Sequence, residues 1–166
     1  LTEKILDPSN DTYISATTYP SLKSYPTGAK GIVSVFESGA TPYVWKTTNF
    51  TRPASSNLQV YELLIRDFVA DRRYKTVADS LGYLKKLGIN AIELMPVAEF
   101  SGNDSWGYNP IFYTAPDKAY GTKNDLKYLI DKCHENGMAV IMDIVLNQTD
   151  YENPYVKMYW DGAKPA

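Results

Sequence analysis

Hydrophobic positions along this chain fall into two regimes that meet near Asn57. Beyond that point, short apolar runs alternate with one-faced stripes. Leu58 to Ile65 is a compact apolar run and predicts a strand. Thr76-Val77-Ala78-Asp79 has the spacing of a capping box. Behind it Val77, Leu81, Leu84 and Leu87 recur on one face, which predicts a helix over 77–87. Gly88 suits a left-handed helix stop, and Ile89 to Val97 predicts a second strand. The same succession then repeats. Thr122-Lys123-Asn124-Asp125 is a second capping box, and Leu126, Leu129, Ile130 and Cys133 form the stripe of a helix over 123–136. Gly137 ends it. Met138 to Leu146 is an almost unbroken apolar run, the pattern of a strand buried on both faces of a parallel sheet.

Strands near 59–65, 90–95 and 139–146, linked by two helices, make a βαβαβ unit. The predicted class is α/β. No glycine-rich phosphate turn follows the first strand, where Ile65-Arg66-Asp67-Phe68 stands instead. Charged and polar residues do gather where the strands end: Arg66, Asp67, Glu93, Glu99, Asp143 and Asn147. That placement suits the active face of a (β/α)8 barrel. A barrel takes eight strands and about 250 residues, so three candidate strands predict a truncated one over 58–166. Residues 1–57 are rich in Pro, Ser, Thr and Gly without helical period. Turns are expected at Asp7 to Asp11 and at Pro26-Thr27-Gly28, and short strands at Gly31 to Phe36 and Pro42 to Trp45. This stretch reads as the end of a preceding β domain and a linker. The first residue is Leu1 and the last six, Asp161 to Ala166, read as loop, so both ends look like cuts within a longer protein.

Composition narrows the partners. With 17 basic and 19 acidic residues the chain has no basic field for nucleic acid. No apolar run reaches the ~18 residues of a membrane span. Cys133 is the single cysteine, so no internal disulfide can form. Tyr and Trp number 14 and 3 against 5 Phe, and a ring with an apolar face and a polar tip matches the C–H patches and hydroxyls of a sugar.

Several residues are candidates for chemistry. Asp143 puts a charge into an apolar run, as a structural acid bracing a site or, alternatively, as a catalytic carboxylate. Asn147 and Gln148 follow, with amides suited to sugar hydroxyls; the Asn147 oxygen is also a candidate calcium ligand. The stretch from Glu99 to Gly121 is long for a βα connection and carries Trp106-Gly107-Tyr108-Asn109-Pro110. Trp106, Tyr108, Tyr113 and Tyr120 are candidates to stack on pyranose rings. Glu93 and Glu99 invite comparison with a glycosidase carboxylate pair, but spacing alone does not make them face each other. His134, inside the second helix, reads as a helix-end cation or a surface residue rather than a metal ligand.

Tyr61 to Phe68, Trp106 to Pro110, Tyr120-Gly121-Thr122 and Asp143-Ile144-Val145-Leu146-Asn147 together resemble the α-amylase superfamily, glycoside hydrolase family thirteen, over roughly residues 58–150. The resemblance implies a (β/α)8 barrel acting on α-glucans such as starch and glycogen or their malto-oligosaccharides, by retaining cleavage or transfer. It implies that Tyr108 stacks on sugar at the cleavage subsite, that Asp143 is a supporting acid, and that Asn147 occupies a calcium-ligand position. Gln148 departs from the family, which usually has a sugar-bonding histidine there; that departure keeps open a non-catalytic, carbohydrate-binding relative. The family's nucleophile, acid/base and third acid follow strands four, five and seven, so no catalytic residue is expected within this chain. Three strands also leave two open edges and an uncovered apolar face, with Val60, Ile92, Leu94, Val140 and Met142 as candidates to line it. Homodimerisation through those edges is expected, unless residues 1–57 fold back over the face.

Overall fold

The computed structural model describes residues 4–6, 26–30, 32–35, 38–102 and 104–162. The chain divides into two compact units. One is built from Glu37–Met95 and Tyr120–Asp143, the other from Leu1–Phe36, Pro96–Ala119 and Ile144–Ala166.

The second of these contains, in chain order, β1 (Lys4–Leu6) and β2 (Val33–Val35), paired antiparallel. The turn expected at Pro26-Thr27-Gly28 is present, closed by the Ala29 N–H on the Pro26 carbonyl at 3.1 Å. The turn expected at Asp7 to Asp11 lies outside the described residues.

The first unit carries β3 (Val60–Leu63), then α1 (Ile65–Phe68), α2 (Tyr74–Asp79) and α3 (Leu81–Lys86), then β4 (Ala91–Leu94). With β7 (Ala139–Met142), β3-β4-β7 is a parallel sheet with β4 in the middle. Each crossover carries helix, and α2 packs against α4 (Lys123–Glu135), the helix of the second crossover. This is the predicted α/β arrangement.

Its details differ from the sequence pattern in instructive ways. The first strand stops at Leu63 because Ile65 to Phe68 turns into helix, with Ile65 buried. The predicted helix 77–87 starts earlier, at Tyr74, because Tyr74 and Val77 are both fully buried and anchor one face. Thr76 therefore sits inside a helix and is no cap; its hydroxyl donates to Asp71 at 2.6 Å instead. Ser80 divides the helix in two. Its hydroxyl donates back to the Thr76 carbonyl at 3.0 Å, a competitor for the backbone that bends helices. Leu81 and Leu84 are buried as expected, but Leu87 is not.

In the other unit, Pro96–Ala119 forms β5 (Ala98–Phe100) and β6 (Pro110–Pro116), an antiparallel ribbon with register shifts at Glu99. The stretch read as one long loop is thus largely a hairpin. Pro42 to Trp45, read as a strand, is irregular.

Back in the sheet unit, α4 (Lys123–Glu135) begins with the predicted capping box: Asp125 N–H donates to the Thr122 hydroxyl, and Thr122 N–H donates to the Asp125 carboxylate. Leu129 and Cys133 are buried, while Leu126 and Ile130 are only partly covered. Gly88 and Gly137 stop the two crossover helices with φ of +81° and +75°. β7 (Ala139–Met142) is shorter than the apolar run that predicts it and is not buried on both faces; only Ala139 is. The central strand β4 has that character, with Ala91, Ile92 and Leu94 all buried. In β3 and β7, each paired on one side in this sheet, Val60 and Met142 are both 42% exposed. Finally α5 (Pro154–Tyr159) closes the described chain in the ribbon unit.

Asp131 ties the segment before β3 to α4. Asp131, 3% exposed, accepts from the Lys46 N–H at 2.9 Å, the Thr47 N–H at 2.9 Å and the Tyr43 hydroxyl at 3.0 Å. Burial alone would raise its pKa, but these donors outweigh burial and hold it down at about 2. Phe50 stacks on His134 with centroids 4.1 Å apart. His134 is thus a packing partner, with its pKa lowered by burial against the raising effect of Asp131.

Candidate functional site

The ribbon β5–β6 presents the loop 101–109 that carries Trp106 and Tyr108. Its base is closed by Ser101 N–H on the Asn109 carbonyl at 3.1 Å and by the Asn109 amide on the Ser101 carbonyl at 3.1 Å. The Ser105 hydroxyl bonds the Asn109 side chain and also accepts from the Gly107 N–H at 2.9 Å. Gly107 lies against the backbone of Pro96. A Cβ there would sit 2.3 Å from the Pro96 carbonyl oxygen, and the φ of +91° already favours glycine. The glycine between Trp106 and Tyr108 is therefore required by close approach. It leaves both neighbours outward, with Trp106 61% and Tyr108 36% exposed.

Gln148 meets this loop. Its side-chain amide donates to the Tyr108 carbonyl at 2.6 Å, and its own carbonyl accepts from the Tyr113 hydroxyl at 3.0 Å. Asn147 is exposed beside it. Thr149 donates to the Pro110 carbonyl at 2.6 Å, and the Asp150 N–H donates to the same oxygen at 3.0 Å. Tyr108, Gln148 and Asn147 are thus brought together within one unit. Asp143 belongs to the sheet unit, one residue past β7, half-buried, with its N–H donating to the Leu94 carbonyl at 3.0 Å. Tyr120 cannot stack on a ligand. It is 2% exposed and packs edge-to-face on Tyr74, 5.9 Å between centroids. Arg66 and Asp67 pair with each other at 2.9 Å on α1.

Beneath the loop lies a cluster that the sequence does not announce. Glu99, Asp117 and Lys118 are all buried, at 0%, 0% and 2% exposure. Glu99 accepts from both the Lys118 ammonium and its N–H. Asp117 accepts from the Phe100 N–H at 3.2 Å and the Ala119 N–H at 2.8 Å. Burial, then the nearby Asp117 charge, raises the Glu99 pKa to about 8 against the pull of Lys118. Burial raises Asp117 to about 6, opposed by Lys118 and the two N–H donors. Two carboxylates sharing one ammonium in a dry site explain both directions. The available signal was Asp117-Lys118 set against Glu99 across a run bounded by Pro110 and Pro116.

Asn147 offers one amide oxygen, whereas calcium takes six to eight oxygen ligands. Among the described residues no group of three or more His, Cys, Asp or Glu converges to hold a metal ion. Among the described residues the donor set does not fit calcium. Cys133 is buried, which pushes its thiol up to about 12, well away from the reactive range.

The chain matches the family model described as "Alpha amylase, catalytic domain" over residues 70–164. It is 32% identical over 137 residues to a malto-oligosyltrehalose trehalohydrolase of Saccharolobus solfataricus, covering 82% of this chain and 24% of that enzyme. A Salmonella typhimurium crystal structure aligns with a TM-score of 0.70 and 36% identity, over 77% of this chain and 22% of the other. The GBS pullulanase SAP, solved in complex with maltotetraose, aligns with a TM-score of 0.51 and 28% identity, over 56% and 16%. The chain spans about a quarter of the length of the first of these relatives. A parallel sheet with helical crossovers and the family-model match agree: this chain belongs to the α-amylase family.

Proposed function

We propose that this chain forms part of the sugar-binding wall of an α-glucan-active barrel and contributes no catalytic carboxylate. Trp106 and Tyr108 offer ring faces to pyranose C–H surfaces, Asn147 offers its amide and Gln148 its side-chain oxygen to hydroxyls, and Asp143 braces the end of β7. The ligand is a malto-oligosaccharide or longer α-glucan. Residues 1–57 are the end of a β domain and its linker, and 58–166 are the front of the barrel.

The observation that carries this reading is the Trp106-Gly107-Tyr108 loop. It is locked by Gly107 against Pro96 and by Gln148 on the Tyr108 carbonyl, yet keeps both rings at the surface. Rigid exposed aromatics cost little ordering entropy on binding. Retaining glycosidases need two carboxyls about 5 Å apart that reach the substrate. Glu99 and Asp117 are fully buried and committed to Lys118 and backbone donors, so they do not supply that pair. In the family those acids follow strands four, five and seven, beyond the three parallel strands here.

Gln148 supports a second reading, a non-catalytic carbohydrate-binding relative. Its amide is spent on the Tyr108 backbone, where the family's histidine would bond sugar.

Titration calorimetry of the 166-residue chain with maltoheptaose tests the proposal. Binding should be lost or weakened about tenfold by Trp106→Ala or Tyr108→Ala, and the chain should release no reducing sugar from starch. Unchanged affinity in both variants, or turnover by the pure chain, would overturn it.

A further inference from the structure

A groove of about 420 Å³ opens beside Gln148, within the ribbon unit. That lies within the common range for ligand sites, about 300–1,000 Å³. Tyr113, Asn147, Gln148, Tyr151, Val156 and Trp160 line it. We propose that Tyr151 and Trp160 form a second aromatic platform that extends the glucan site past Gln148 and selects chains of several glucose units over short ones. The inference rests on the glucan reading above and deepens it.

Three observations carry it. The platform is exposed: Tyr151 is 72% and Trp160 41% accessible, large rings left at the surface of a lined groove. It is also built. The two rings meet edge-to-face, 5.5 Å apart at 75°, so each keeps a face outside the pair. The turn that carries Tyr151 is fixed by buried Asn153, whose amide donates to Thr149 at 2.7 Å and whose oxygen accepts the Tyr155 N–H at 2.8 Å. Thr149 in turn holds the Pro110 carbonyl at the start of β6. A chain of hydrogen bonds thus ties the platform to the strand that follows the Trp106-Tyr108 loop.

Third, the lining is neutral. Rings alternate with the amides of Asn147 and Gln148 and the hydroxyl of Thr149, and no charged side chain lines the groove. Two charged side chains of this segment, Glu152 and Lys157, pair with each other at 2.6 Å. An ionic ligand finds no counter-charge there. A sugar, with apolar ring faces between hydroxyls, matches both kinds of lining. Continuity through Gln148 with Tyr108 makes the occupant a further part of the same glucan chain.

The test is calorimetry of the 166-residue chain with maltose and with maltoheptaose. Tyr151→Ala and Trp160→Ala should each weaken maltoheptaose about fivefold or more while leaving maltose within about twofold. Tyr108→Ala should weaken both sugars. Tyr151→Phe, which keeps the ring face, should retain the affinity and so separates a lost platform from a misfolded turn. Maltoheptaose affinity unchanged in both alanine variants, with Tyr108→Ala still impaired, would overturn the platform and leave the primary site standing. No binding of either sugar by the unaltered chain would overturn both. Concentration-dependent self-association removed by Tyr151→Ala would instead make the surface a contact between copies, and would also overturn the proposal.

Discussion

Asp131→Asn changes one heavy atom and almost no volume, yet it should cost the chain a substantial part of its stability. Both carboxylate oxygens accept backbone N–H groups, Thr47 on one and Lys46 on the other, and Tyr43 adds its hydroxyl to the second. An amide keeps one acceptor and turns the other into a donor that faces an N–H or hydroxyl. Lowering this carboxyl from 3.8 to about 2 is worth at most about 2.5 kcal/mol at neutral pH. Solvent screening at the rim of the contact trims that to about 1–2 kcal/mol. The stranded donors add about 1–3 kcal/mol of lost hydrogen bonding. The expected loss is about 2–5 kcal/mol for Asn and for Ala alike, read from urea unfolding by circular dichroism. The pH dependence has a definite sign. The folded pKa is depressed, so the contribution is complete above about pH 4 and disappears as pH falls towards 2. The gap between the unaltered chain and Asp131→Asn should therefore narrow by about 1–2 kcal/mol across that window. A gap under about 0.5 kcal/mol at neutral pH, within surface-substitution scatter, or one that persists unchanged to about pH 2, would refute the clamp.

Gly107→Ala should distort the loop, because the new Cβ would lie 2.3 Å from the Pro96 carbonyl oxygen; calorimetry should show maltoheptaose binding weakened about tenfold or more, and intact affinity would contradict the packing argument. The Glu99, Asp117 and Lys118 cluster gives the opposite pH sign to Asp131. Folded pKa values raised to about 8 and about 6 mean that the folded state holds protons the unfolded chain releases, so their contribution is complete below about pH 4 and is lost as pH rises through 6 and 8; Glu99→Gln should flatten that decline in melting temperature, and an unchanged slope would count against it. Lys118→Met should cost more as pH rises through 6 and 8, where the buried acids ionise without their ammonium, and a loss in urea unfolding independent of pH would count against the cluster. With Val60 and Met142 exposed on β3 and β7, the 166-residue chain should associate in light scattering over a tenfold dilution, and a constant 18.7 kDa species would exclude it.

The sheet was legible because its signals are local. An apolar run, a helix stripe and a stopping glycine each concern neighbours in sequence, and Thr122 with Asp125 forms the cap that their spacing predicts. Boundaries failed where a longer-range contact outweighed the local rule. Burial of Tyr74 moved a helix start ahead of Thr76, and the edge position of β7 left Met142 half in solvent where sequence alone reads as core. The ribbon was legible in principle: Ile111-Phe112-Tyr113-Thr114-Ala115 between two prolines is a β-rich run. It was hidden by being read as one aromatic loop. Asp131 was not legible at all, because its partners lie 84 to 88 residues away. Trp106 and Tyr108 flank Gly107 in sequence, whereas the bond from Gln148 to the Tyr108 carbonyl and the neighbours of Asp143 depend on tertiary geometry that no spacing encodes.

The three buried acids among the described residues settle what kind of surface this chain presents. Burial alone pushes every carboxyl upward, so burial does not distinguish them. The balance between burial and donors does. Asp131 receives two backbone N–H groups and a hydroxyl that outweigh burial and hold it at about 2, whereas burial outweighs the Lys118 ammonium on Glu99 and the two N–H donors on Asp117, which rise to about 8 and about 6. A proton-shuttling carboxyl near neutrality is what a glycosidase acid needs, and by pKa alone Glu99 would qualify. Its full burial and its two bonds to Lys118 deny it a substrate. A perturbed pKa identifies a functional acid only when the group can reach a ligand. What does reach the surface around Gln148 is neutral: indole, phenol and amide. On the proposed reading such a surface orients a polyhydroxylated chain without doing chemistry on it, while Glu99 and Asp117 tie Phe100, Lys118 and Ala119 of the ribbon unit together.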